Sequence, residues 1–424
     1  MVQTSSTFRQ DSRGLDGTIS LSEVVSALSY ALDLTEGAVH GHALRSCLCG
    51  MRIAHELQLS SEQLSGLYYA LLMKDVAGSY SAMDDDFPGI VPRCDRGASI
   101  VSKLGMGPLA AEAVRFIDER WDGNGHPDRL REEQIPLLSR ICAVARHLDV
   151  FSCGRGAQSA VESLREHSGT WFDPELVQIV TTLHRKGMLW VNCSASDSES
   201  MRLAVLGLDP GRRTQLQAAE IDQVCEAFAD VVDAKSHFTF SHSIGVADAA
   251  LGIAQTLGLS TERVQIVQRA ALLHDIGKLS VSNSILDKTG HLNPREWHTV
   301  RQHPGHSRQI LERVGPFREI AVIAGEHHEK LDGSGYPNRL MAPDLSIEAR
   351  IVAVADVFGA LSEDRPYRAG LEMDAIIPIM KNLAPRKLDG MCVEALVQRV
   401  ESSGVMVFRP VAYPESGSAI FASA

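Results

Sequence analysis

No stretch of about 18 apolar residues occurs anywhere in this chain, so a membrane-spanning helix is not expected. The first ten residues, Met-Val-Gln-Thr-Ser-Ser-Thr-Phe-Arg-Gln, lack the apolar core of a signal peptide, and the sequence reads as that of a soluble, cytoplasmic protein. Positive charge is scarce: 41 Lys and Arg stand against 53 Asp and Glu, for a net charge of -12. Such a chain is a poor non-specific binder of DNA or of an anionic membrane surface, because it repels phosphates. If its ligand is an anion, local positive charge or metal must hold it. Thiol pairs are missing too. Eight cysteines are scattered as Cys47, Cys49, Cys94, Cys142, Cys153, Cys193, Cys225 and Cys392. None forms a CxxC pair, and Cys47 and Cys49 stand too close for a usual zinc knuckle. Reduced core or surface thiols are therefore expected. Strand-like alternation of apolar and polar residues is also scarce.

Helical periodicity is present instead. The 424 residues, 44% of them hydrophobic, can bury two or three cores, which excludes wholesale disorder. Val24, Val25, Leu28 and Leu32 share one helical face, and similar patterning recurs over 218–232, 296–314, 320–327 and 347–361. The expected fold class is all-α.

A long internal repeat organises the chain. Gly41-His42-Ala43-Leu44 returns 200 residues later as Ser241-His242-Ser243-Ile244, and the stretch ending in Lys74-Asp75-Val76-Ala77-Gly78 returns in the one ending in His274-Asp275-Ile276-Gly277. Glu119-Arg120-Trp121-Asp122-Gly123-Asn124-Gly125-His126-Pro127 returns 210 residues later as Glu329-Lys330-Leu331-Asp332-Gly333-Ser334-Gly335-Tyr336-Pro337. Ile141 to Arg146 matches Ile351 to Asp356 at the same offset. The second copy thus carries about ten extra residues in the region of His303. The period is too long for a solenoid, so two tandem domains of one helical fold are expected. The expected division is a loose terminus (1–18), a first domain (19–195), a linker (196–215), a second domain (216–409) and a tail (410–424). The linker is placed on its Ser- and Asp-rich start and on Asp209-Pro210-Gly211.

Chemistry concentrates in the second copy. Residues 271–278 read Ala-Leu-Leu-His-Asp-Ile-Gly-Lys. Adjacent residues on a helix point about 100° apart, so His274 and Asp275 can serve one centre only near a helix end. His242 lies upstream. His303, the pair His327-His328 and Asp356 lie downstream, with a turn-rich Asp332–Pro337 loop between the last two. Histidine and carboxylate ligands without thiolate suit a borderline metal such as iron or manganese, with zinc, cobalt or nickel as alternatives. Seven candidate ligands exceed what one ion needs and favour two divalent metal ions, which at about 3.5–4 Å can clamp a phosphate between them.

With these motifs in this order, and with Asp364-Arg365-Pro366-Tyr367-Arg368 after them, residues 235–370 closely resemble the HD-GYP family of HD-domain phosphohydrolases. The resemblance implies a metal-dependent phosphodiesterase that opens cyclic di-GMP to pGpG, with GMP as an open further product, through a hydroxide bridging the metals. Another cyclic dinucleotide or nucleotide phosphate as substrate, or a nucleotide-sensing module without catalysis, are the alternatives. It further implies that His242, His274 and Asp356 hold one metal, that His303, His327 and His328 hold the other, and that Asp275 bridges them. Lys278 then stands near the bridging water and the phosphate. Gly335, Tyr336, Pro337, Arg365 and Arg368 are the implied substrate contacts. Phe238 stands where some members carry a Glu for a third metal, so two metals are expected. Gly359 stands where an Asp is frequent. His237, His298 and His306 fall off the motif and read as surface residues. In the first copy Lys74 replaces the HD histidine, Arg146 the distal Asp, Ile117-Asp118 the His pair and His126 the loop Tyr. Only His42 and Asp75 remain, and a Lys and an Arg there repel a divalent cation. That copy is expected to be catalytically dead. The expected partner is a cyclic dinucleotide, not DNA or membrane, together with a homodimer mate or other cyclic di-GMP signalling proteins.

Overall fold

The computed structural model describes residues 19–35, 41–76, 90–191, 193, 198–211, 215–233, 242–286, 288, 290–363 and 370–403. The termini, His237, Phe238, Arg365 and Arg368 lie outside the described residues. The fold is all-α, as the periodicity predicts. The first half runs through α1 (Leu21–Thr35), α2 (His42–Glu56), α3 (Ser61–Met73), α4 (Ile90–Lys103), α5 (Pro108–Arg115), α6 (Leu137–Arg155), α7 (Ala157–Glu166), α8 (Pro174–Arg185) and α9 (Ser198–Leu206). The second half runs through α10 (Ala218–Asp233), α11 (His242–Thr256), α12 (Thr261–Leu273), α13 (Asn283–Leu286), α14 (Pro294–Val300), α15 (His303–Leu311), α16 (Arg318–Gly325), α17 (Ile347–Ser362), α18 (Met373–Leu383) and α19 (Gly390–Ser403). Among the described residues no helix is long and apolar enough to cross a membrane.

The repeat is visible in how the helices start. Ser60 caps α3 by accepting from the Gln63 amide, and Ser260 caps α12 by accepting from the Arg263 amide. Each hydroxyl satisfies a backbone donor that the first helical turn leaves open. Buried Asp33 on α1 accepts from the amides of Gly41 and Ala43, and buried Asp233 on α10 accepts from the amide and hydroxyl of Ser243. Each carboxylate fixes the start of the helix that opens with His42 or His242, where negative charge also meets the positive end of the helix dipole.

The two leading helices cross over between the halves. Besides α2 and α3, α1 packs on the 3-10 turn Ile276–Ser280 and on α15; α10 packs on α4 as well as on α11 and α12. The short strands β1 (Ile19–Ser20) and β2 (Gln215–Leu216) pair antiparallel beside them. The Arg313 guanidinium lies 3.5 Å from the Tyr30 ring centroid, and Lys103 pairs with Asp230 at 2.5 Å. One apolar core runs through both halves. The stretch 196–215, expected as a linker, contains α9, which packs on α1 and α2 through buried Met201 and Val205.

Candidate metal centre

His242 opens α11, His274 caps the C-terminal end of α12, His303 opens α15, and Asp356 sits inside α17. The backbone leaves helical geometry at Asp275, which starts the turn Ile276–Ser280, and this is what lets two adjacent residues face one centre. Gly277 is required there: a Cβ would lie 2.0 Å from the His303 carbonyl oxygen. The Ser307 hydroxyl fastens the turn to α15, accepting from the Gly277 amide at 2.9 Å and donating to the His274 carbonyl at 2.6 Å.

All seven residues singled out in the second copy converge. Within each of the groups His242–His274–Asp356, His303–His327–His328 and His274–Asp275–His327, the candidate ligand atoms lie within 4.8 Å of one another. Asp275 faces both sides of the cluster. Its Oδ1 is 3.1 Å from His303 Nε2, and its Oδ2 is 3.3 Å from His274 Nε2 and 3.7 Å from His242 Nε2. His328 Nδ1 lies 3.5 Å from Asp356 Oδ2 at the more open side. Lys278 pairs with Asp275 Oδ2.

Outer hydrogen bonds aim the rings. His274, His303 and His327 each donate from Nδ1 to a backbone carbonyl, those of Ala271, Val300 and Ala324, at 2.6–2.7 Å. His242 donates from Nδ1 to Glu363 at 2.8 Å. A carbonyl can only accept, so the Nδ1 proton is fixed and Nε2 turns inward, the arrangement usual for metal-binding imidazoles. His274 Nε2 and Asp275 Oδ1 are buried without a hydrogen-bond partner, and His303 Nε2 faces His327 Nε2 at 3.1 Å. Buried polar atoms without partners and ring nitrogens set face to face are costly, and a cation between them relieves both. The donor set therefore fits borderline divalent metal.

Charge follows the same logic. Burial holds the His327 imidazole neutral well below its ordinary range and brings His328 down to about 3. Burial also disfavours charge on His274, but Asp275 and Asp356 outweigh it and push the imidazole up to about 10. Without a cation these carboxylates favour a second proton on the His274 ring, at Nε2, which a ligating imidazole must give up. Loading Mn2+ or Zn2+ at pH 7 is expected to release about one proton or more, and affinity should weaken as pH falls. Calorimetry in buffers of different ionisation enthalpy measures this; zero release would remove His274 from the ligand set.

The substrate loop is pinned from below. Buried Glu329 accepts from the amides of Asn338 at 2.6 Å and Leu340 at 3.0 Å. A Cβ on Gly335 would lie 2.4 Å from the Lys330 amide nitrogen, so the close approach needs glycine. Tyr336 is drawn to the cluster, its ring centroid 4.8 Å from that of His328. Of the histidines expected at the surface, His298 is exposed, but His306 is half-buried because Ser280 Oγ meets its Nδ1 at 2.5 Å. Glu363 escaped the sequence reading. It stands seven residues after Asp356, two helical turns along the same face, a spacing that could have revealed it.

The first half builds the same cradle from fixed charges. Lys74 pairs with Asp75, whose other neighbour is His42 Nε2 at 3.3 Å. Burial alone would raise Asp75, but Lys74 and His42 hold its carboxyl far down. Asp118 and Arg146, at the places of His328 and Asp356, pair at 2.7 Å, so cation and carboxylate have exchanged positions. Glu119 pins its loop through the amides of Asp128 and Leu130, as Glu329 does. The three candidate metal clusters among the described residues all lie in the second half.

Fold, repeat and site together define a class: the chain belongs to the HD-GYP family of HD-domain phosphohydrolases. The HD domain family model matches residues 81–176 and 226–391. The chain is similar to the 3'3'-cGAMP-specific phosphodiesterase 3 of Vibrio cholerae, 34% identical over 436 residues that cover 89% of this chain and 94% of that one. The crystal structure of V-cGAP3, a cyclic GMP-AMP specific phosphodiesterase of V. cholerae, is similar with a TM-score of 0.67 and 33% identity, covering 91% of this chain and 98% of that one. The cyclic di-GMP phosphodiesterase response regulator RpfG of Xanthomonas campestris pv. campestris is 43% identical over 148 residues, 34% of this chain and 39% of that one.

Proposed function

We propose that this chain is a metal-dependent phosphodiesterase that opens cyclic dinucleotides to the linear form, with 3'3'-cGAMP as preferred substrate. The convergence of seven His and Asp side chains, four of the rings aimed inward by fixed Nδ1 hydrogen bonds, carries the activity. A shorter likeness, 43% identity to RpfG over 148 residues, points to cyclic di-GMP as the alternative substrate. What favours 3'3'-cGAMP is a likeness that extends through the first half as well.

In this reading His242, His274 and Asp356 would hold one divalent cation, His303, His327 and His328 would hold a second, and Asp275 would serve both. Iron or manganese suits the donors best. Bound there, such ions supply Lewis acidity toward the phosphate and acidify water toward neutral pH. The chain does the rest. Asp275 turns one oxygen to each ligand group, and its surroundings keep it ionised: burial would raise its carboxyl, but Lys278 and His274 hold it far down. The Lys278 ammonium sits at the rim, where a compact cation can offset charge growing on the phosphate. His328 and Lys278 are the more exposed members of the cluster and leave the approach to substrate on their side. The first half, by contrast, is a catalytically dead domain in which Lys74 and Arg146 stand in for cations.

Metal-loaded protein offered 3'3'-cGAMP, cyclic di-GMP and cyclic di-AMP is expected to cleave the first with the highest kcat/KM, by about tenfold, a margin that one well-placed base contact supplies. Equal rates on cyclic di-GMP would sink the substrate preference, and no cleavage of any of them would sink the activity.

A further inference from the structure

Beside the cluster, α14, α15 and the Tyr336-Pro337 turn enclose an open cavity of about 490 Å³. Sites for small organic ligands commonly fall between about 300 and 1,000 Å³. The cavity is joined to the cluster by a file of planar groups. His328 meets the Tyr336 ring at 4.8 Å, and the Arg301 guanidinium lies 4.5 Å from the same Tyr336 centroid. Gln302, also on the wall, directly precedes His303. Farther out stands Trp297, 48% exposed, with the carboxamides of Gln302 and Gln309 nearby. No carboxylate lines the cavity, and among the described residues Arg301 forms no ion pair. In a chain of net charge -12, an uncompensated guanidinium beside an open aromatic face points to a flat anion.

We propose that this cavity is a second nucleotide subsite, in which Trp297 stacks on a purine and Arg301 holds the phosphodiester that is not being cut. The assignment rests on the function proposed above. A cyclic dinucleotide carries two anionic phosphodiesters, and only one can sit at the cluster. The other needs its own cation, and a planar guanidinium offers a phosphate two parallel donors. Tyr336 already has His328 and Arg301 against its ring, so of the two large aromatic side chains lining this cavity Trp297 is the one left open to a base. Base-aromatic stacking tolerates any base, while the Gln302 and Gln309 carboxamides offer the donor-acceptor pair that matches an adenine edge.

The test is the split between KM and kcat for 3'3'-cGAMP in the metal-loaded full chain. Trp297→Ala and Arg301→Met are each expected to raise KM about tenfold or more, with kcat changed less than about threefold, and Trp297→Phe should recover most of the loss. Calorimetric binding of a phosphorothioate cyclic dinucleotide should weaken in parallel, independently of turnover. Unchanged KM and binding in both variants would overturn the subsite while leaving the proposed function standing. A fall in kcat with KM unchanged would make Trp297 a wall of the cluster rather than a nucleotide contact, and would overturn it too. Wild-type protein that neither cleaves nor binds any cyclic dinucleotide would end the function and the subsite together.

Discussion

Asp275→Ala is expected to lower kcat for cyclic dinucleotide cleavage by about a thousandfold or more, equivalent to about 4 kcal/mol of barrier. It stands between the two ligand groups: its two oxygens reach His303 at 3.1 Å and His274 at 3.3 Å. Alanine removes a donor from each group and leaves the Lys278 ammonium without its carboxylate, so like charge then opposes cation entry. Metal content should fall with activity, which elemental analysis of the purified variant measures. A variant that keeps both its metal and its turnover would dismantle the assignment of the centre.

Glu363→Ala should cost about 10–100-fold in metal affinity or activity, the usual penalty for losing the partner that orients a ligating histidine. Glu363 accepts from His242 Nδ1 at 2.8 Å and thereby keeps Nε2 turned toward Asp275 and Asp356. With the carboxylate gone, the ring can rotate and its tautomer is no longer fixed. Glu363→Gln retains an acceptor oxygen and should lose less than about tenfold. If Glu363→Ala titrates manganese or iron as the parent does, His242 is held by something else.

The sequence made the helices, the repeat and the meeting of His274 and Asp275 at a helix end legible, because each is a local pattern. Ser60 and Ser260, equivalent caps 200 residues apart, show how faithfully the two copies share local rules. Non-local features left weaker traces. The substitutions at Ile117-Asp118 and Arg146 were readable one by one. That Asp118 and Arg146 would find each other was not, since pairing depends on where α6 places them. The composition of 196–215 spoke for a linker, yet Met201 and Val205, one helical turn apart, were enough to seat α9 on its neighbours. The cavity between α14 and α15 left no motif, because its wall combines a break at Arg301-Gln302 with a loop some thirty residues later. Nor did any periodicity announce that α1 would pack on a turn some 250 residues away.

That crossing of α1 onto the Ile276–Ser280 turn makes each half depend on the other. A gene trimmed to its reactive portion would encode a wound, with apolar flank bared where the neighbouring helix had rested. Lys74 and Arg146 stand in the first half where the second has His274 and Asp356, yet each half keeps the contour on which the other leans. Side chains outside the cluster, such as Tyr30 against Arg313, thus brace the helices that carry it.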